Sequence, residues 1–209
     1  MKENYTHIVL LIDRSGSMIK IKNDMEGGIK TFLDNQKQLP GECTITVSQF
    51  DCEYETFFKR VPISDVKDIE IIPRGGTALI DAMCRLIIEV GDDLKSLDEN
   101  ERPDKILFVT ITDGEENSSH EFTNEMLCEM IKEQEEKYSW NFTYIGANQD
   151  AFSVATKYGM RQNSSLNYGA TSSGVNIMFS SLSDATYRYR MSKDTSTFSY
   201  TDEEQDKQQ

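Results

Sequence analysis

The chain has 209 residues, of which 37% are hydrophobic, 28% charged and 10% aromatic, enough to bury one sizeable core and short for two. Its 22 Lys and Arg stand against 36 Asp and Glu, a net charge of -14, which argues against a general nucleic-acid or anionic-membrane surface because phosphate binding needs clustered positive charge. No apolar run approaches the roughly 20 residues of a bilayer span, and Ile8 to Ile12 is too short for a signal-peptide core, so a cytoplasmic location is the expectation.

His7 to Ile12 (HIVLLI) is a continuous apolar run, as in strands buried on both faces, and it ends directly in the loop Asp13-Arg14-Ser15-Gly16-Ser17. From Met18 to Gln38 the apolar residues Met18, Ile21, Met25, Ile29, Phe32 and Leu33 recur at helical spacing until Pro40-Gly41 stops them. Gly27 and Gly28 interrupt that pattern at a cost of up to about 1 kcal/mol each, which predicts close packing of the helix against a sheet. Cys43, Ile45 and Val47 alternate with Thr44, Thr46 and Ser48 as a second strand, and Tyr54 to Val61 is its hairpin partner.

Thr77 to Leu97 carries one helical stripe of Leu79, Ala82, Met83, Leu86, Ile87, Val90 and Leu94 after the turn Pro73-Arg74-Gly75-Gly76. Lys105 to Thr112 (KILFVTIT) repeats the design of the first strand and ends at Asp113-Gly114, so it is expected as that strand's parallel neighbour. Phe122 to Glu136 reads as an acidic amphipathic helix, Trp140 to Ala147 as a strand with Trp140, Phe142 and Tyr144 on one core face, and Asp150 to Tyr158 as a short helix closed by Gly159. Ser165 to Tyr168 and Gly174 to Arg190 follow as a short strand and a helix, with Tyr187 and Tyr189 either packing on the sheet or lining a partner surface. The alternation implies a parallel sheet with helices on both faces in one domain over residues 1–191. Residues 192–209 are polar and acidic and are expected to be a disordered tail.

Cys43, Cys52, Cys84 and Cys128 form no C-x-x-C pair and only His7 and His120 are present, so a zinc site is not expected; Cys43, Cys84 and Cys128 read as small buried hydrophobes. Asn117, Asn141 and Asn163 each begin an N-x-[ST] triplet, which without an export signal is a chance match.

Three segments at strand ends or a helix start carry oxygen donors: Asp13, Ser15 and Ser17; Thr77; and Asp113. In open α/β sheets, loops at the carboxyl edge converge, so these sequence-distant segments can build one site. Taken singly, Asp13-x-Ser15-x-Ser17 and Thr77 read as helix caps and Asp113-Gly114 as a turn. Together, two carboxylates and three hydroxyls suit a hard, oxygen-seeking cation, Mg²⁺ first and Mn²⁺ next.

Asp13-x-Ser15-x-Ser17, the distal Thr77 and Asp113-Gly114 resemble the metal-ion-dependent adhesion site (MIDAS) of von Willebrand factor A-type domains, with all five positions matched and the likeness running over about residues 5–160. The resemblance implies a Rossmann-like fold, a mostly parallel sheet with one short antiparallel edge strand, for which Tyr54 to Val61 is the candidate. It implies that Asp13, Ser15, Ser17, Thr77 and Asp113 hold Mg²⁺, and that a Glu or Asp on the acidic surface of a partner protein completes the shell. The function so implied is a non-enzymatic protein-interaction module, with no nucleic acid and no membrane. Two other readings stand beside it: a Mg²⁺-dependent phosphohydrolase using the same edge, and a scaffold subunit of a bacterial or phage stress or defence assembly. Against the enzyme, Ser15 stands where aspartyl-phosphate chemistry of the haloacid-dehalogenase type needs a second Asp, and neither His nor Lys is placed in these loops as an acid-base partner. Arg14 is expected at the solvent rim and Glu115 and Glu116 as a solvated pair.

Overall fold

A strand such as HIVLLI, apolar on both faces, is buried only if helices cover both sides of its sheet. The computed structural model, which describes residues 1–147, 150–193 and 197–207, has that arrangement. Its strands are β1 (Lys2–Asp13), β2 (Glu42–Phe50), β3 (Tyr54–Pro62), β4 (Pro103–Thr112), β5 (Trp140–Ala147) and β6 (Ser165–Tyr168). They form one sheet in the order β3-β2-β1-β4-β5-β6. Every pairing is parallel except that of the edge strand β3 with β2. The fold class expected from the chain is therefore the one observed.

The helices are α1 (Lys22–Lys37), α2 (Leu79–Lys95), α3 (Asn124–Tyr138), α4 (Ala151–Lys157), α5 (Ser172–Met191) and α6 (Asp202–Asp206). On one face Ile8, Leu10, Ile12, Leu107 and Val109 pack with Ile29 and Phe32 of α1 and Phe179 and Leu182 of α5. On the other, Val9, Leu11, Phe108, Trp140, Phe142 and Tyr144 pack with Met83 and Leu86 of α2, Leu127 and Ile131 of α3 and Ala155 of α4. No helix among the described residues is long and apolar enough to cross a membrane.

Three expectations change. The helical pattern from Met18 begins as a 3-10 turn over Gly16–Lys20, and α1 starts only at Lys22. Backbone bonds from Gly16 N–H to the Gly75 carbonyl and from Met18 N–H to the Ser15 carbonyl tie this segment to the sheet edge. The glycine at position 28 faces α5 rather than the sheet: a Cβ there would lie 2.0 Å from the Phe179 ring, whereas one at Gly27 would meet nothing.

The third is the tail. Phe198 and Tyr200 are buried, 1% and 4% exposed, because two aromatic rings supply the apolar area that the surrounding polar residues lack. Phe198 packs edge-on against Tyr189 and Tyr200, and the Tyr200 hydroxyl meets Thr143 Oγ1 at 3.1 Å. Arg188 holds Glu204 through two hydrogen bonds, and Thr201 and Glu204 close a reciprocal capping box on α6. The segment is thus docked where described; Asp194 to Ser196, Gln208 and Gln209 of the expected tail lie outside the described residues. Tyr189 accordingly serves packing, while Tyr187 is half exposed.

Candidate metal centre

Parallel strands β1 and β4 are neighbours, so their carboxyl ends deliver Asp13 and Asp113 to the same edge. Ser15 N–H donates to Asp13 Oδ1 at 2.6 Å, and Thr112 Oγ1 donates to Asp13 Oδ2 at 2.5 Å. These two bonds fix a carboxylate that is itself fully buried. The Ser15 and Ser17 hydroxyls lie 3.0 Å apart, and Ser17 donates to Asp113 Oδ1 at 2.5 Å. Thr77 comes from the loop ahead of α2, and it joins the others in space. A Cβ placed on Gly114 would lie 2.9 Å from Thr77 Oγ1 and 3.6 Å from both Asp13 Oδ2 and Ser15 Oγ. Oxygens of Asp13, Ser15 and Thr77 thus surround one point, left open because residue 114 has no side chain, and the Ser17 hydroxyl links Asp113 to the same group.

The capping alternative for these hydroxyls does not describe the molecule. The residue at the N-cap of α2 is Ala78, with no side-chain cap, and Ser15, ahead of the 3-10 turn, makes no side-chain cap bond either. The first turn of α2 is served instead by Glu116, whose Oε2 accepts from Ile80 N–H at 2.9 Å. Glu116 also accepts from Ser118 N–H, Ser119 N–H and the Ser119 hydroxyl, so it organises the loop after β4 and is not half of a solvated pair; Glu115 is exposed. Arg14 is likewise not at the rim. It is 5% exposed, its guanidinium bonded to Asp51 at 2.8 Å and Glu55 at 2.9 Å, because the β2–β3 hairpin brings these acids beside it.

Burial pushes Asp13 up to about 6, against the opposing hydrogen bonds from Thr112 and Ser15 and with Asp113 adding to the rise. Burial also raises Asp113, partly offset by the Ser17 hydroxyl. Two desolvated carboxylates side by side, with the adjacent Arg14 committed elsewhere, are an unbalanced negative pair that a cation would relieve. The donor set fits a hard cation: two carboxylates and three hydroxyls, oxygen throughout. Among the described residues no group of three or more His, Cys, Asp or Glu could hold a metal, so a cation here depends on the hydroxyls. All four cysteines are free; Cys43 and Cys84 are buried, with burial pushing their thiols up to about 11 and about 12, whereas Cys128 is only partly buried.

The sequence reading missed Thr112, Glu116 and Asn117. Thr112 had a signal, being the residue before Asp113 at a strand end; Glu116 and Asn117 sit in a loop whose fold no periodicity announces.

No protein-family model matches the chain, and no curated protein matches it by sequence. Solved structures do. Proximal thread matrix protein 1 from the mussel byssus superposes with a TM-score of 0.67 at 14% identity over 88% of this chain and 46% of that one. A von Willebrand factor type A protein from Catenulispora acidiphila gives 0.61 at 14% identity over 88% of this chain and 43% of that one. The vWF domain of the pilus tip protein Mfa5 from Porphyromonas gingivalis gives 0.63 at 10% identity over 92% and 98%. This chain spans less than half of the first two. At such identities the likeness concerns the fold, which is the Rossmann-like fold of von Willebrand factor A-type domains. Another structure of the mussel protein, at 16% identity and a TM-score of 0.59, is described as having a zinc-occupied MIDAS motif.

Proposed function

We propose that the chain is a metal-dependent protein-interaction module in which Asp13, Ser15, Ser17, Thr77 and Asp113 hold a divalent cation, Mg²⁺ or Mn²⁺. A partner protein presents a Glu or Asp that completes the coordination. The convergence of Asp13, Ser15 and Thr77 oxygens around the open point beside Gly114, with Ser17 bonding Asp113 next to it, supports this reading most directly. When bound, Mg²⁺ would supply a hard positive centre able to accept one further carboxylate. The chain's own part is to hold the donors: Thr112 and the Ser15 amide orient Asp13, and Ser17 bonds Asp113. Ser17 is exposed, so the site opens to solvent where a partner's side chain could enter.

The module is proposed to bind without turnover. The test is affinity capture in Mg²⁺ with wild type, Thr77→Ala and Thr77→Ser, beside a phosphatase assay and a melt of each. Partners should be retained by wild type and Thr77→Ser, lost with Thr77→Ala or with EDTA, and no metal-dependent hydrolysis should accompany them. A partner held equally by Thr77→Ala would remove the metal from the interaction. Hydrolysis in Mg²⁺ that disappears in Asp13→Ala would favour the phosphohydrolase.

A further inference from the structure

The loop after β4 does more than carry Asp113. Asn117 Oδ1 accepts from Thr77 N–H at 3.0 Å, and the Thr77 carbonyl accepts in return from Asn117 N–H at 3.0 Å and Ser118 N–H at 3.2 Å. Thr77 is therefore gripped on both sides of its Cα by one short stretch. Ser118 Oγ donates to Asn117 Oδ1 at 2.6 Å, which fixes the orientation of the Asn117 side chain. The fit is close at the preceding residue too: a Cβ on Gly76 would lie 2.4 Å from Ser118 Oγ and 2.9 Å from Asn117 Oδ1. On the other side of the loop, Gly76 N–H donates to Cys52 Sγ at 3.1 Å.

The stretch is itself anchored to α2. Glu116 receives Ile80 N–H, and the Asp81 carboxylate receives the backbone N–H groups of His120, Glu121 and Phe122. The loops bearing Thr77 and Asp113 consequently form one hydrogen-bonded unit across some 40 residues of sequence. The chance-like triplet Asn117-Ser118-Ser119 is the part of that unit in contact with Thr77.

We infer that Asn117 is a positioning residue of the cation site, its side-chain oxygen and backbone N–H holding Thr77 so that the Thr77 hydroxyl faces the open point beside Gly114 that Asp13 and Ser15 also face. The inference rests on the cation-binding reading above. Asn117 is exposed and its Oδ1 serves Thr77 and Ser118, so removing its amide opens no core. Loss of an orienting contact behind a ligand weakens metal binding by about 10- to 100-fold in well-studied centres.

The experiment compares wild type, Asn117→Ala, Asn117→Asp and Asp13→Ala with Mn²⁺ alone as the probe, and measures amide hydrogen exchange in metal-free protein. Asn117→Ala should weaken Mn²⁺ binding at least tenfold and speed exchange at the Thr77 amide, with the metal-free melting temperature held within a few degrees. Asn117→Asp, which keeps the accepting oxygen, should restore slow exchange at Thr77. Asp13→Ala should lose Mn²⁺ and leave Thr77 exchange unchanged. Equal Thr77 exchange in wild type and Asn117→Ala, or equal Mn²⁺ affinity in those two where Asp13→Ala has lost it, would overturn the positioning role and leave the proposed function standing. Absence of Mn²⁺ binding to wild type at millimolar concentration would overturn the cation-binding reading, and this inference with it.

Discussion

Gly114 and Thr77 face each other across the site at a separation that admits no side chain: a Cβ on Gly114 would stand 2.9 Å from Thr77 Oγ1. The glycine is not at a positive φ, so its lack of a side chain matters for room and not for backbone conformation. Gly114→Ala should therefore fold normally, within about 1 kcal/mol of wild type, because the Thr77 hydroxyl can rotate away. That rotation removes one oxygen from the shell while a methyl group intrudes on the others. The rise in melting temperature produced by Mg²⁺ or Mn²⁺, which a ligand bound only to the native state must cause, should shrink or vanish. An undiminished rise in Gly114→Ala would place the cation elsewhere.

Asp13 gives a pH signature. Its carboxyl titrates near 6 in the metal-free native state, raised by burial from an ordinary 3.8, so the native protein takes up a proton on acidification before the unfolded chain does. Its contribution to stability therefore grows as pH falls from about 7 to about 4, by about 3 kcal/mol at most, and is lost again as pH rises through 6. Buried His7 acts in the opposite sense over the same window, since burial lowers it from 6.5 to about 4. The measurement must thus be a difference. Metal-free Asp13→Asn should be more stable than wild type at pH 7.5, with the gap closing towards pH 4.5. Mn²⁺ affinity of wild type should fall below pH 6 as protons compete for Asp13. A gap constant across the range would show that Asp13 is not desolvated as described.

Gly27 and Gly28 make a matched pair on α1. At Gly27 a methyl group meets nothing within 4 Å, so Gly27→Ala should stabilise by up to about 1 kcal/mol through helix propensity alone. At Gly28 the same methyl would enter the Phe179 ring at 2.0 Å, and the overpacking cost of about 1–3 kcal/mol should exceed that gain. Chemical denaturation of the two variants should give shifts of opposite sign, and Phe179→Leu should recover part of the Gly28→Ala loss. Equal effects at the two positions would mean that α1 and α5 do not pack as described.

The C-terminal segment should contribute measurably to stability. Phe198 is 1% exposed between Tyr189 and Tyr200, so Phe198→Ala should cost about 3–5 kcal/mol, comparable to other buried phenylalanines. Tyr200→Phe, which removes only the hydroxyl meeting Thr143, should cost about 1 kcal/mol. If urea denaturation finds Phe198→Ala as stable as wild type, residues 197–207 do not dock in solution.

The amino-acid sequence by itself determined the strands and most of the helices, because apolar runs such as HIVLLI and KILFVTIT and the stripe from Leu79 to Leu94 have periods that only one local structure satisfies. It also singled out Asp13, Ser15, Ser17, Thr77 and Asp113 as candidate oxygen donors, since each stands at a strand end or helix start, where loops of an α/β sheet meet. Tertiary structure decided what pairs with what beyond the reach of periodicity. Arg14 turned inward because the β2–β3 hairpin brings Asp51 and Glu55 beside it, and Gly28 was needed for Phe179, 151 residues along the chain. Phe198 and Tyr200, two aromatics in a polar stretch, found a pocket formed by Tyr189, Asn141 and Thr143. Asn117 and Glu116 gained their partners only when the loop after β4 closed onto α2. In each case at least one partner is distant in sequence, so no local pattern carries the contact.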